Sequence, residues 1–326
     1  MEKQAVTGTR RESGSADISA AYYLGKIAGF WLRWFFLVCV LFIILYPIIY
    51  MTGMAFRSYT DFYDVTVVWI TKTLTLENAD ILLNHMGFGS AMLHTLIITV
   101  SAAACQLVVT STVGYGFGRF RFRGNRVLFA LVVFTVMVPP QMLNLSNYIL
   151  MRDFDFFGLI RAITGKGSGI SMLDGPLSFV IPALFGQGLR AGLSILIFRQ
   201  IYASIPKEIE EAALVDGCGS AHTYLRIMVP SASNAFLITG IFSVVWYWTD
   251  YYSAAAFLSS FRTMTMDIAG LRTAASVILP IAEQNAYRFI PLEQAACLLM
   301  ILPLLLVFLL IQRFFTNSID KTGLVG

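Results

Sequence analysis

Apolar runs long enough to cross a lipid bilayer recur six times along this chain, and they limit its fold more than any other feature. A helical span needs about 20 mostly apolar residues. Runs of that kind lie at about residues 30–54, 91–117, 127–150, 177–198, 235–258 and 290–315. Composition agrees. Hydrophobic residues make up 57% of the chain and charged residues 13%, with a mean hydropathy of +0.72, whereas soluble domains carry roughly 25% charge. The expected fold is all-α: a polytopic membrane protein with six transmembrane helices. Residues 1–22 are polar and rich in Ser, Ala and Gly and read as disordered, within an N-terminal tail expected over 1–29; a short tail is expected over 316–326. The first run is too long for a signal-peptide core and is followed by no clear cleavage site, so it reads as a retained span.

The net charge of +4 forms no patch of the kind that binds nucleic acid. Cys39, Cys105, Cys218 and Cys297 form no C-x-x-C pair and have no histidine at ligand spacing, so neither a metal site nor a disulfide framework is expected. Basic residues set the orientation, since they are retained on the cytoplasmic side. Lys3, Arg10, Arg11, Lys26 and Arg33 lie at the start. Arg119, Arg121, Arg123 and Arg126 follow the second run, Arg199, Lys207 and Arg226 lie between the fourth and fifth, and Arg313 and Lys321 lie at the end. All fall on one side if both termini are cytoplasmic. Asp61, Asp64, Glu77 and Asp80 give the loop after the first run an acidic balance that suits the outside. Pro139-Pro140 removes two backbone donors within the third run and should kink it, either as a bent packing helix or as a functional hinge.

Between the fourth and fifth runs the chain reads SIPKEIEEAALVDGCGSAHTYLRIMVP, residues 204–230. Pro206 suits a first helical turn, and Glu208, Glu210 and Glu211 suit the positive end of the helix dipole. Gly217 sits where a left-handed residue would stop that helix. Ser220 can start a second helix, and Pro230 marks entry to the fifth run. The segment therefore reads as a cytoplasmic helix–turn–helix. Ala212 and Ala213 would let its first helix press closely on a partner.

Glu211-Ala212-Ala213, Gly217 and the closing Ile227-Met228-Val229-Pro230 resemble the EAA loop of binding-protein-dependent ABC importer permeases. Val229 stands where the family pattern has Leu. "GYGFGRFRFRG", "WYWTDYYSAAAFL" and "QRFFTNSIDKTGLVG" resemble the sugar-importer branch, and the likeness is closest to the maltose-type second permease subunit. The resemblance implies an inner-membrane subunit without a catalytic site or cofactor. ATP-binding subunits would dock on the EAA loop, with Glu211, Ala212, Ala213, Asp216, Gly217, Ile227 and Pro230 as coupling residues. It also implies a second permease subunit as heterodimer partner, an extracytoplasmic solute-binding protein, a sugar substrate and a surrounding of membrane lipid. The chain carries no Walker A loop of its own: Gly165-Lys166-Gly167 has the wrong spacing and lacks the following Ser or Thr. The alternatives are an ABC permease for a non-sugar solute and a secondary transporter with coupling groups in broken spans.

For the translocation pathway the residue types point to Trp246 and Trp248, whose faces can stack on sugar rings. Tyr251 and Tyr252 suit an interfacial belt. Arg190 and Asp250 fall inside spans, where charges usually face a bundle interior or a watery cavity. They are expected beside the pathway, either paired with each other or satisfied locally. The outer loop over residues 259–287 either reaches toward the solute-binding protein or packs only on its neighbours.

Overall fold

The computed structural model describes residues 10–64, 71–165 and 167–322. These are predominantly helical and contain no named strand; isolated bridges join Arg57 to Leu74 and Phe154 to Ile170. Three helices carry unbroken apolar stretches long enough to span a membrane: α1 (Arg10–Ala55) over Gly25–Ala55, α2 (Phe88–Arg119) throughout, and α12 (Ala286–Thr322) over Ala286–Gln312. The other three runs are interrupted, the chain's third run at the proline pair where a kink was expected. The third run divides into α3 (Asn125–Met137) and a segment containing α4 (Asn144–Arg152), set at 101° to each other. Pro139 is extended there (φ −59°, ψ 129°), and two residues without N–H donors end the helix rather than bend it.

The fourth run divides into α5 (Leu177–Leu184) and α6 (Ala191–Ser204). Residues 185–190 between them are not helical, and both Gly186 and Arg190 have positive φ. Next come α7 (Lys207–Val215) and the short helical stretch Ser220–Ser231. The latter meets α8 (Ser233–Thr249) at 75°. The fifth span therefore ends at Thr249, well before residue 258. It is followed by three short helices, α9 (Tyr252–Phe257), α10 (Met264–Ala269) and α11 (Leu271–Ile278). At the ends, α1 begins at Arg10 and α12 runs to Thr322, so helix extends into the segments read as tails; Lys3, Lys166 and residues 323–326 lie outside the described residues.

The helix α2 is the axis of the fold. It packs against α5, α6, α8 and α10, while α1 packs chiefly on α12. The contact with α6 is backbone to backbone. A Cβ on Gly114 would lie 2.5 Å from Phe198 Cβ, and one on Gly118 would lie 3.1 Å from the Arg199 carbonyl oxygen. In lipid, where apolar helices gain nothing by hiding from solvent, close approach of this kind and polar contacts hold helices together. Three apolar clusters fill the body. One joins the Phe88 end of α2 to α11, α12 and Trp248. A second lies under α9, and a third, with Tyr115, Phe198, Tyr202 and Met228, lies at the end that carries residues 204–230.

Candidate functional site

Pro206, in polyproline-like geometry (φ −54°, ψ 139°), precedes α7, so its missing N–H costs the helix nothing. Glu208 and Glu210 stand in the first turn, where the dipole favours acids. The helix stops where the sequence placed its stop. Gly217 is left-handed at φ 83°, its N–H bonds the Leu214 carbonyl at 3.1 Å, and Cys218 N–H reaches the Ala213 carbonyl at 2.9 Å. These two bonds satisfy carbonyls that a helix end otherwise leaves open.

The two faces of α7 differ. Glu208, Glu211, Ala212, Leu214, Val215, Asp216 and Gly217 are exposed, with Val215 at 86%. Glu210 and Ala213 turn toward the body of the protein. Ala212 and Ala213 thus do not share one docking face as expected: Ala213, 4% exposed, packs on its own chain and Ala212 is presented outward. Successive residues on a helix lie 100° apart, which separates them. On the second arm Ile227 is half-buried and Pro230 exposed, and Leu225 adds another exposed apolar side chain. The outward surface is thus a small apolar area rimmed by acids.

The break in the fourth span is held by a buried polar network. Gln106 of α2, fully buried, donates to the Leu189 carbonyl at 3.0 Å and to Ser243 Oγ at 3.3 Å. Tyr247 donates its hydroxyl proton to Gln106 Oε1 at 2.7 Å and accepts the Leu189 N–H at 3.1 Å. Backbone groups freed by the break thereby find partners within the protein, the condition for non-helical chain at membrane depth. Gly188 lets the strand pass: a Cβ there would lie 2.3 Å from Gln106 Oε1 and 2.5 Å from the Tyr247 hydroxyl.

Arg190 emerges from this break as the residue preceding α6, exposed, with φ 53°. Its guanidinium lies 5.3 Å from the centre of the Trp246 ring, which in turn stacks on Phe242 at 5.5 Å. Asp250 marks the end of α8. One carboxylate oxygen accepts the Ser253 N–H at 3.4 Å and the other is buried without a hydrogen-bond partner. Arg190 and Asp250 form no ion pair with each other: Asp250 meets the Ser253 N–H and Arg190 the Trp246 ring. Trp248 is 3% exposed and donates to the Met300 carbonyl at 3.0 Å, tying α8 to α12. Tyr251 and Tyr252 are exposed.

Residues 259–287 are ordered into α10, α11 and a turn, with Leu271, Ala275 and Leu279 buried and Val277 and Ile281 more than 80% exposed. The start of this loop is clasped by Asp174, itself left-handed at φ 62°. One of its oxygens accepts the N–H groups of Ser259, Ser260 and Phe261 at 2.8, 2.8 and 2.9 Å. Those bonds, from Phe261 first, then the Ser260 hydroxyl and the Ser259 N–H, hold its carboxyl well below the usual range.

Sequence reasoning missed Gln106, Tyr247, Asp174 and the inward role of Glu210. A glutamine within an apolar run was a visible signal for the first. For the others the partners lie far apart in sequence, and nothing local marks them.

Comparison with known proteins follows from this geometry. Residues 110–321 match the family described as the binding-protein-dependent transport system inner membrane component. The chain is 27% identical to the diacetylchitobiose uptake system permease protein DasC of Streptomyces coelicolor over 74% of its length and 86% of that protein's. It is 24% identical to the arabinooligosaccharides transport system permease protein AraQ of Halalkalibacterium halodurans, over 88% and 93% of the two chains. Its fold matches the crystal structure of a bacterial ABC transporter involved in import of the acidic polysaccharide alginate. The TM-score is 0.63, with 20% identity and coverage of 96% of this chain and all of the other.

Proposed function

Since this chain belongs to the binding-protein-dependent transport inner membrane family, we propose that it is the permease subunit of an ABC importer for a sugar or oligosaccharide. Its residues 204–230 would couple transport to ATP hydrolysis by separate subunits. The observation that carries the coupling role is the outward face of α7. Glu211, Ala212, Leu214, Val215 and Asp216 stand exposed there, on a helix stopped by a left-handed Gly217. Such a surface has no use within a single chain and suits a protein partner. With this end cytoplasmic, both termini are cytoplasmic and the loop over residues 259–287 faces outward, where a solute-binding protein would deliver substrate. A second permease subunit would complete the pathway as a heterodimer partner.

The sugar reading is supported by the relatives' names, one for diacetylchitobiose uptake and one for arabinooligosaccharide transport. The pathway reading is supported by Arg190 and Trp246, an exposed cation and aromatic face at a break in a span. Asp250 stands at the end of the same wall. Trp248 enters as a support of that wall, since it anchors α8 to α12. Membership of an importer family driven by separate subunits replaces the secondary-transporter alternative.

The test is ATP-driven uptake by the assembled transporter in vesicles. A Cβ at Gly217 meets no neighbour but must adopt a positive φ, a cost of roughly 1 kcal/mol or more. Gly217→Ala should lower uptake several-fold, and Glu211→Lys should abolish it while the chain still inserts. Normal uptake by both variants would overturn the coupling role.

A further inference from the structure

The loop over residues 204–230 is joined by the chain to α6 on one side and α8 on the other, and has no covalent link to α2. Both its arms are nevertheless fastened to α2. On the first arm Glu210 Oε2 lies 3.1 Å from Arg119 Nε, and Tyr115 donates its hydroxyl proton to Glu210 Oε1. The Arg119 side chain is 5% exposed and that of Glu210 19%. The contact is ionic rather than a directed hydrogen bond, because the Arg119 Nε–H itself finds no acceptor. A second guanidinium nitrogen donates to the Pro206 carbonyl at 3.3 Å, at the point where α7 begins. On the second arm the Tyr224 hydroxyl is 2.9 Å from Ser111 Oγ and 3.2 Å from Thr112 Oγ1. The Tyr115 and Tyr224 rings lie 4.8 Å apart and close the space between the arms.

We propose that the Glu210–Arg119 pair is the joint through which displacement of α7 reaches α2, and that Glu210 is a positioning residue for coupled transport. The proposal rests on the reading of α7 as the ATPase-docking helix. Three observations carry it. Glu210 points inward from the same helix whose Glu211 points outward, so adjacent acids divide between the partner and the protein's own body. The joint is largely shielded from water, where a charge pair is screened less and resists separation. The helix it grips is also the one that α5, α6, α8 and α10 pack upon. Glycine-mediated contact makes α2 and α6 a single stiff unit at this level, so a pull on Arg119 moves the wall of the bundle rather than one loop.

Of the four arginines from the end of α2 to the start of α3, Arg121, Arg123 and Arg126 are exposed, and Arg119 is the one turned to α7. A merely orienting charge would have no reason to be buried against a glutamate.

The experiment uses the complete transporter in vesicles and measures three quantities: retention of the ATPase subunits, ATP hydrolysed, and substrate imported. Glu210→Arg and Arg119→Glu should each keep the ATPase subunits bound and hydrolysing within about twofold, while substrate imported per ATP falls at least tenfold. The exchange carrying both changes should recover a third or more of the wild-type ratio. Glu210→Gln, which keeps the Tyr115 hydrogen bond and loses only the charge, should fall between. Glu211→Lys serves as the reference, because it should release the ATPase subunits. An unchanged ratio in the Glu210 and Arg119 single variants overturns the joint. So does loss of the ATPase subunits in them, or an exchange that recovers nothing while Glu210→Gln behaves as wild type. Normal behaviour of Glu211→Lys overturns the docking reading separately.

Discussion

Over Gly25–Ala55 and Phe88–Arg119 the protein has two apolar helices of nearly equal length, 31 and 32 residues. In the first, Trp31, Phe35, Phe36 and Ile43 are each more than 60% exposed. In the second, Thr95, Thr99, Gln106, Thr110 and Ser111 are each no more than 2% exposed. The more apolar helix faces out, and the one bearing polar and small residues lies at the centre. In water the arrangement would be the reverse. In a bilayer the outside is already apolar, so burying a leucine gains little. Association is then driven by close packing of small residues and by polar groups that have no other partners. A hydroxyl or amide facing lipid is costly unless it bonds, and α2 turns these groups inward, where all but the Thr99 hydroxyl find partners. Thr95 and Thr110 bond carbonyls of their own helix, and Gln106 bonds the broken fourth span.

This contrast can be broken in a graded way. The largest effect is expected at Gly188→Val. The added side chain must displace both Gln106 and Tyr247 and so undo the contact between α2 and the break. Uptake should fall by at least tenfold and the protein should be recovered at lower abundance; wild-type uptake would show that the network is dispensable.

A smaller effect is expected near the start of α2, where His94 stacks on Phe261 at 3.8 Å and Asp174 clasps the Phe261 loop. Asp174→Asn removes a charge that accepts three N–H groups. After allowance for solvent screening it should cost about 1 kcal/mol near neutral pH. The sign of its pH dependence follows from the depressed carboxyl. Such a group stabilises the fold above its unfolded value, about 3.9, and the contribution is lost as pH falls through the lower, folded value. The gap in Tm between wild type and Asp174→Asn should be constant from pH 7 to about pH 5 and close under stronger acid. A gap that widened with acid would contradict the clasp.

The smallest effect is expected in α1. Gly29→Val meets nothing within 4 Å, so Tm and uptake should stay at wild-type levels. A large loss there would mean that α1 is covered by a partner along that face.

Much of the loop over residues 204–230 was legible from the sequence because its signals are local. The acids of the first turn, the left-handed Gly217 and the length of α7 all depend on neighbours within a few positions, and each appears where expected. The number of apolar runs was legible for the same reason. Their continuity was not. Pro139-Pro140 could be read as a kink but turns the chain through 101°, and the break at 185–190 depends on Gln106 and Tyr247, which lie 83 and 58 positions from Leu189.

By itself the sequence determined that this chain spans a membrane and carries a helix–turn–helix with one exposed acidic face, because hydropathy and capping are properties of short segments. The tertiary structure alone decided which span is central, which spans are broken, and which of two adjacent glutamates turns inward. Those outcomes depend on hydrogen bonds and close approaches between residues distant along the chain. A polar group in lipid takes its partner from whatever the fold brings near it.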